Sequence, residues 1–193
     1  MRIVAGIARG RRLRAPKGRL VRPTADRVKE AVFSILESRG SSTGRAVLDL
    51  FAGAGTLGIE ALSRGAAEAV FVEPSRPASA AIEENLRTTG LSGEVLAMPA
   101  DRAIKRLAAA GRRFDRVFLD PPYGEGWVGR TLEALDAADL VVDGGWIVAE
   151  HGRGEDTASE VGRFIREVSR RYGDTQVSLY LAGGTRMRND GEV

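Results

Sequence analysis

The sequence contains no cysteine. That excludes disulfides, thiolate metal sites and cysteine nucleophiles, and it fits a cytoplasmic protein. Histidine occurs once, at His151. A lone histidine has no partner cluster for metal or triad chemistry, so His151 reads as structural. No apolar run reaches 18 residues, and no membrane-spanning helix is expected. The N-terminus is basic and lacks the apolar core and small-residue cleavage site of a secretory signal. Lysine is scarce too: 26 of the 29 basic residues are arginine. The basic surface is therefore mostly guanidinium forks, which grip phosphate bidentately and stack on bases.

What is present suits one domain with a full core and a small appendage: 193 residues, 43% apolar and 28% charged. The net charge of +3 is unevenly spread. Residues 1–30 carry ten Lys/Arg against Asp26 and Glu30, a balance of +8, and the remainder carries −5. A basic extension on a mildly acidic body points to a polyanionic partner, most simply nucleic acid. Within residues 1–22, Ile3, Val4, Ile7, Leu13 and Leu20 are spaced among Arg9, Arg11, Arg12 and Arg14. This pattern suits a short hairpin docked by its apolar side, and it suits a disordered basic arm equally well.

From Pro23-Thr24 the pattern changes. Thr24 is placed to cap a helix with Asp26 in its first turn, and Val28, Ala31, Val32, Ile35 and Leu36 form one apolar face ended at Gly40. Strand and helix patterns then alternate. Strands are expected at 46–51, 69–73, 94–98, 114–119 and 146–149, and helices at 56–64, 77–89, 102–110 and 128–138. Such alternation predicts a doubly wound, parallel α/β sheet with right-handed crossovers. Residues 166–172 and 175–181, separated by Gly173-Asp174, read as an antiparallel hairpin closing one edge. The expected division is a basic extension at 1–22, the α/β domain at 23–182 and a flexible tail at 183–193.

Two loops carry the chemistry. After the first strand, Gly53, Gly55 and Gly58 match G-x-G-x-x-G, which permits a tight strand-to-helix turn and close approach of backbone to a ligand. Glu73, ending the second strand 24 residues past Asp49, is placed to accept from ribose hydroxyls. Loop and acid together read as an adenosine site and leave the cofactor open between NAD(P) and S-adenosylmethionine. Asp49, Glu73, Asp101 and Asp120 are expected to line one rim, and four carboxylates suit a cationic cofactor better than a pyrophosphate.

The second loop is Asp120-Pro121-Pro122-Tyr123, just past the fourth strand, where open α/β sheets bind ligands. Neither proline has an N–H, so the turn offers acceptors without competing donors. An acceptor pair beside a flat ring suits a planar substrate bearing an –NH₂ group, such as a nucleobase. By itself the tetrapeptide slightly favours an ordinary rigid turn, since Asp-Pro pairs are common turn formers.

The stretch Asp49-Leu50-Phe51-Ala52-Gly53-Ala54-Gly55, followed by Asp120-Pro121-Pro122-Tyr123, resembles amino-group methyltransferases of the class I, Rossmann-like fold. Residues Val21 to Phe33, containing Arg22-Pro23-Thr24-Ala25-Asp26-Arg27-Val28, and Tyr172-Gly173-Asp174-Thr175 narrow the likeness to the bacterial 16S rRNA guanine-N2 methyltransferase family. The resemblance implies S-adenosylmethionine as cofactor and 16S rRNA of the small ribosomal subunit as partner, with no metal. It implies that Phe51, Gly53 and Gly55 lie against the methionine portion near Asp49, that Glu73 holds the ribose and Asp101 the adenine, and that Arg22-Pro23-Thr24 closes over the methionine end. Asp120 and the Pro121 carbonyl would hold the target amine and Tyr123 would stack on the base. Pro122, Arg9, Arg11, Arg12 and Arg14 would meet the RNA. The rivals are an adenine-N6 methyltransferase, an NAD(P) oxidoreductase and a noncatalytic RNA-binding module. Against a DNA-reading enzyme, the 64 residues between Gly55 and Asp120 are filled by core elements.

Overall fold

The computed structural model describes residues 1–15, 25–155 and 157–183. Helix α1 (Ala25–Ser38) buries Val28, Val32 and Leu36 of the expected stripe, leaves Ala31 and Ile35 partly buried, and buries Phe33 beside them. The expected cap at Thr24, with Arg22 and Pro23, lies outside the described residues, as do the side chain of Asp26 and the tail from residue 184 onward.

Beyond α1 the chain alternates as expected. The order is β1 (Ala46–Leu50), α2 (Thr56–Ser63), β2 (Glu68–Val72), α3 (Arg76–Thr89), β3 (Glu94–Leu96), α4 (Ala100–Ala109), β4 (Phe114–Leu119), α5 (Trp127–Ala137) and β5 (Val141–Gly152). Then come β6 (Glu160–Val161), β7 (Phe164–Tyr172) and β8 (Thr175–Ala182). One eight-stranded sheet runs β3-β2-β1-β4-β5-β8-β7-β6. The first five strands in that order are parallel neighbours, and β8, β7 and β6 are antiparallel additions.

Side chains alternate across the sheet because successive Cβ atoms of a strand point to opposite faces. Val47, Phe71, Phe118 and Val148 pack with α1, α2 and α3 on one face. Leu48, Leu50, Val70, Val72, Val117, Leu119 and Ile147 pack with α4 and α5 on the other. Both faces are covered, which is why these strands read as nearly continuous apolar runs.

The structure departs from the sequence expectations in four places. Strand β5 begins at Val141, five residues early. Its pairing with β4 jumps from Phe114↔Val141 to Arg116↔Trp146, a bulge around Gly144 (φ 74) and Gly145 that precedes the residues expected as strand. The short edge strand β6 has too few residues to show a pattern. Helix α4 starts at Ala100, two residues early, so Asp101 after β3 sits in the helix's first turn rather than in the loop before it. Finally, Ile7 does not dock: it is 84% exposed.

Ile7 belongs to a small N-terminal hairpin closed by an antiparallel bridge between Arg2 and Arg12. Ile3, Ala8 and Leu13 are buried in the core of the body. The turn is pressed so hard on α2 that a Cβ on Gly6 would lie 1.7 Å from the Ser63 carbonyl oxygen. Gly6 and Ala8 face the body while Ile7 is turned outward. The backbone is held by buried polar groups. Glu60 accepts from the amides of Val4 (2.8 Å) and Ala5 (3.0 Å), and the Ala8 amide donates to Ser63 Oγ at 3.0 Å. Lys29, 3.3 Å from Glu60, donates to the Arg2 carbonyl. Asn85 both donates to and accepts from the backbone of Arg14. The expected boundary between extension and domain, at residues 22 and 23, falls outside the described residues.

Candidate active site

The strand order reverses between β1 and β4. The chain steps outward from β1 to β2 to β3, then returns to place β4 on the other side of β1. Ligands of open α/β sheets bind outside the carboxyl ends of strands at such a point. The registers fix what meets there. Leu50 pairs with Leu119 on one side and with Val72 on the other. The next residues, Phe51, Asp120 and Glu73, therefore leave the sheet side by side. The two loops singled out in the sequence are adjacent because of this pairing.

The glycine loop is built tightly. Phe51, the last residue of the expected strand, instead has φ 64, an uncommon conformation for a non-glycine residue at the point where the chain turns off the sheet. Its ring meets Trp127 at 5.8 Å in an edge-on arrangement. Gly53 (φ 57) and Gly55 (φ 75) are left-handed. Gly58 serves packing: a Cβ there would lie 2.3 Å from Phe71 Cε1, so α2 can approach β2 only without a side chain at that position.

The acids divide by role. Glu73 is buried, and its two oxygens accept from the amides of Gly53 and Ser75, both at 2.9 Å. It thus ties the glycine loop to the end of β2 while keeping lone pairs for a ligand. Asp49 lies within β1 and is 2% exposed. Its Oδ2 accepts from the Gly58 amide at 2.9 Å. Because Gly55 at the N-cap has no side chain to offer, Asp49 does the capping from the strand. Burial pushes its carboxyl up to about 7, and the charges of Asp120 and Glu73 add to the shift, while the Gly58 amide opposes it. The expected rim of four acids is therefore corrected. Asp49 is inside the sheet, Asp101 is exposed on α4, and Glu73 and Asp120 directly follow strand ends.

Asp120 and Pro122 are exposed and Pro121 is buried. The Tyr123 ring rests on Gly152 of β5, where a Cβ would come within 3.4 Å of its Cδ2, and its hydroxyl lies 3.3 Å from Thr175 Oγ1 of β8. An open cleft of about 400 Å³ lies beside the ring, lined also by Gly124, Gly126, Gly154 and Glu155.

Arg9 and Arg12 are exposed on the hairpin. Arg11, also exposed, donates to the Thr88 carbonyl at 2.8 Å, and Arg14 lies 3.9 Å from Glu84, so these two lean on α3. His151 is buried with Nε2 3.0 Å from Ser178 Oγ, and burial holds its pKa below the usual histidine value. Three residues escaped sequence reasoning. Asn85 donates to the Ala54 carbonyl at 3.0 Å and so links the glycine loop to the hairpin. Glu60 looked like any acid on a helix, and Glu155 stood outside every motif.

The model of the family described as conserved hypothetical protein 95 matches residues 1–181. The chain belongs to that family. It is 38% identical over 186 residues to the Bacillus subtilis protein named "Putative rRNA methyltransferase YlbH", covering 95% of this chain and 100% of that one. It is 37% identical over 150 residues to "Ribosomal RNA small subunit methyltransferase D" of Escherichia coli (strain K12), covering 78% and 71%. Among solved structures, "Putative methyltransferase yhhF" from Escherichia coli superposes with a TM-score of 0.81 at 31% identity, covering 96% and 99%. These relatives are thus named as methyltransferases, two of them of rRNA and one of these of the small subunit, and the fold of this member is that of a class I methyltransferase. Among the described residues, no helix is long and apolar enough to cross a membrane.

Proposed function

We propose that this chain transfers a methyl group from S-adenosylmethionine to the exocyclic N2 amine of a guanine in 16S rRNA of the small ribosomal subunit. The observation that carries the reading is the Leu50↔Leu119 register, which sets the glycine loop beside Asp120-Pro121-Pro122-Tyr123.

The cofactor loop fits S-adenosylmethionine on the chemistry of its donors. Asp49, Glu73 and Asp120 lie close enough for the last two to raise Asp49, a concentration of negative charge that a sulfonium and an ammonium relieve. Phe51, Gly53 and Gly55 would hold the methionine portion with Asp49 beneath, Glu73 the ribose and Asp101 the adenine, with Thr24 closing the site. When bound, the cofactor supplies a methyl group already activated by positively charged sulfur.

The protein's own work is placement and polarisation. A guanine N2 lone pair is delocalised into the ring and is poorly nucleophilic. The Asp120 carboxylate and the Pro121 carbonyl would each accept an N–H, favouring a pyramidal nitrogen with its lone pair localised. Asp120 then takes the released proton or passes it to water. Holding nitrogen and methyl in line removes the entropy of encounter, the largest remaining barrier. The base must leave its stack, and Tyr123 offers a ring in exchange. Pro122, Arg9, Arg11, Arg12 and Arg14 would meet the RNA, the arginines through its phosphates.

The test is direct. The protein is incubated with methyl-labelled S-adenosylmethionine and, separately, small subunits, naked rRNA and duplex DNA, and the nucleic acid is digested to nucleosides. Label in N2-methylguanosine from small-subunit rRNA is expected. Label in N6-methyladenosine, or in DNA, would refute the reading.

A further inference from the structure

We infer that Glu155 selects guanine by accepting the N1–H beside the target amine. The inference rests on the guanine-N2 reading above and supplies what Asp120-Pro121-Pro122-Tyr123 cannot, since that turn would hold the amine of adenine as readily.

Glu155 lies just beyond β5, on a loop that lines the same cleft as the Tyr123 ring. The loop is tied to the motif. The Glu155 amide donates to the Gly152 carbonyl at 3.1 Å, and Glu155 Oε2 accepts from the Gly124 amide at 3.3 Å. Gly152 in turn carries the Tyr123 ring.

The other oxygen of that carboxylate, Oε1, is buried and has no hydrogen-bond partner among the described residues. Buried polar atoms are nearly always paired, and a carboxylate oxygen without a donor is costly. Glu155 lines the cleft that the motif's aromatic ring also lines. A donor arriving with the substrate resolves the deficit once the carboxylate rotates to turn Oε1 toward the cleft.

Base chemistry names the donor. Next to its exocyclic amine, guanine carries N1–H, a donor. Adenine and cytosine carry a ring nitrogen lone pair at the corresponding place, which a carboxylate repels. With Asp120 and the Pro121 carbonyl engaged on the amine, a carboxylate on the neighbouring ring position accepts from guanine and rejects the other two. A site built around a substrate N–H discriminates strongly against an analogue lacking it, because its own acceptor is then left unpaired.

The experiment uses the full chain, S-adenosylmethionine, and an rRNA fragment carrying either guanine or 2-aminopurine at the position the wild-type protein methylates. 2-Aminopurine keeps the C2 amine but has a lone pair at N1. Wild type, Glu155→Gln and Glu155→Ala are compared by kcat/KM on both RNAs, with cofactor affinity measured by calorimetry. The preference for guanine over 2-aminopurine is expected to shrink about 10- to 100-fold in both variants, the loss of one charge-assisted hydrogen bond. The shrinkage should be larger in Glu155→Gln, whose amide can donate to N1, and cofactor affinity should stay unchanged. Taking the ratio of ratios cancels the intrinsic reactivity of the two bases. The near-isosteric glutamine keeps the test valid if the alanine variant folds poorly. An unchanged preference in a variant that still methylates guanine would overturn the role of Glu155 and leave the guanine-N2 reading standing. Label from the wild type in adenine would overturn both.

Discussion

Replacing Asp49 with asparagine should make the protein more stable relative to wild type as pH rises. Asp49 has its carboxyl raised from 3.8 to about 7, first by burial and then by Asp120 and Glu73. The folded chain therefore keeps a proton that the unfolded chain releases between about pH 4 and 7. The unfolded state binds fewer protons there, so this group's favourable contribution is complete below pH 4 and is lost as pH climbs to 7. Three units at ~1.4 kcal/mol each set the whole loss at about 4 kcal/mol, and the step from pH 5 to 7 at about 2–3 kcal/mol. Solvent screening subtracts little, because the residue is 2% exposed. Asparagine keeps an oxygen for the Gly58 amide and does not titrate. Urea unfolding of both proteins at pH 5, 6, 7 and 8 reads the difference, and all other titrating groups cancel. The gap should move in favour of Asp49→Asn by about 2–3 kcal/mol between pH 5 and 7 and then level off. A gap independent of pH would refute the claim that Asp49 is protonated inside β1. The same linkage predicts that S-adenosylmethionine binds wild type more tightly as pH rises, by up to about tenfold per unit below pH 7, and that Asp49→Asn loses this component.

Asp120→Ala should lower methyl transfer at least about 100-fold while calorimetric cofactor affinity is kept; near-normal turnover would remove Asp120 from the chemistry. Gly58→Ala, which elsewhere in a helix stabilises, should here destabilise by about 1–3 kcal/mol in urea because its Cβ would meet Phe71 at 2.3 Å, and Phe71→Leu should relieve it. Glu60→Ala removes the carboxylate paired with buried Lys29 and frees the Val4 and Ala5 amides, so a loss of about 3–5 kcal/mol and faster trypsin cleavage within residues 9–14 are expected. Arg9→Ala and Arg12→Ala should each weaken rRNA binding and reduce its log–log salt slope by about 1; an unchanged slope would remove these arginines from the interface.

Local signals carried most of the fold. Strand and helix alternation, the Gly40 and Gly90 stops and the hairpin at Gly173-Asp174 are short-range patterns that every residue window repeats. They read correctly because the parallel strands are covered on both faces and have no polar alternation to blur them. The signals fell short where the chain is irregular. The bulge at Gly144 and Gly145 hid the first residues of β5, and nothing local showed that Gly6 lets the N-terminal turn lie on α2.

The glycine loop, the acid that follows β2 and the Asp-Pro-Pro-Tyr turn are each short local patterns, so composition and spacing alone could nominate them as parts of a site. Their meeting is a property of strand register, which depends on pairs as distant as Leu50 and Leu119. Tertiary structure alone turned Asp49 inward to cap α2, made Glu60 and Asn85 the anchors of the hairpin, and brought Glu155 to the cleft beside Tyr123. The physical reason is common to all four. What a carboxylate or amide does depends on which backbone groups and charges surround it once water is excluded, and that environment exists only after distant segments have packed.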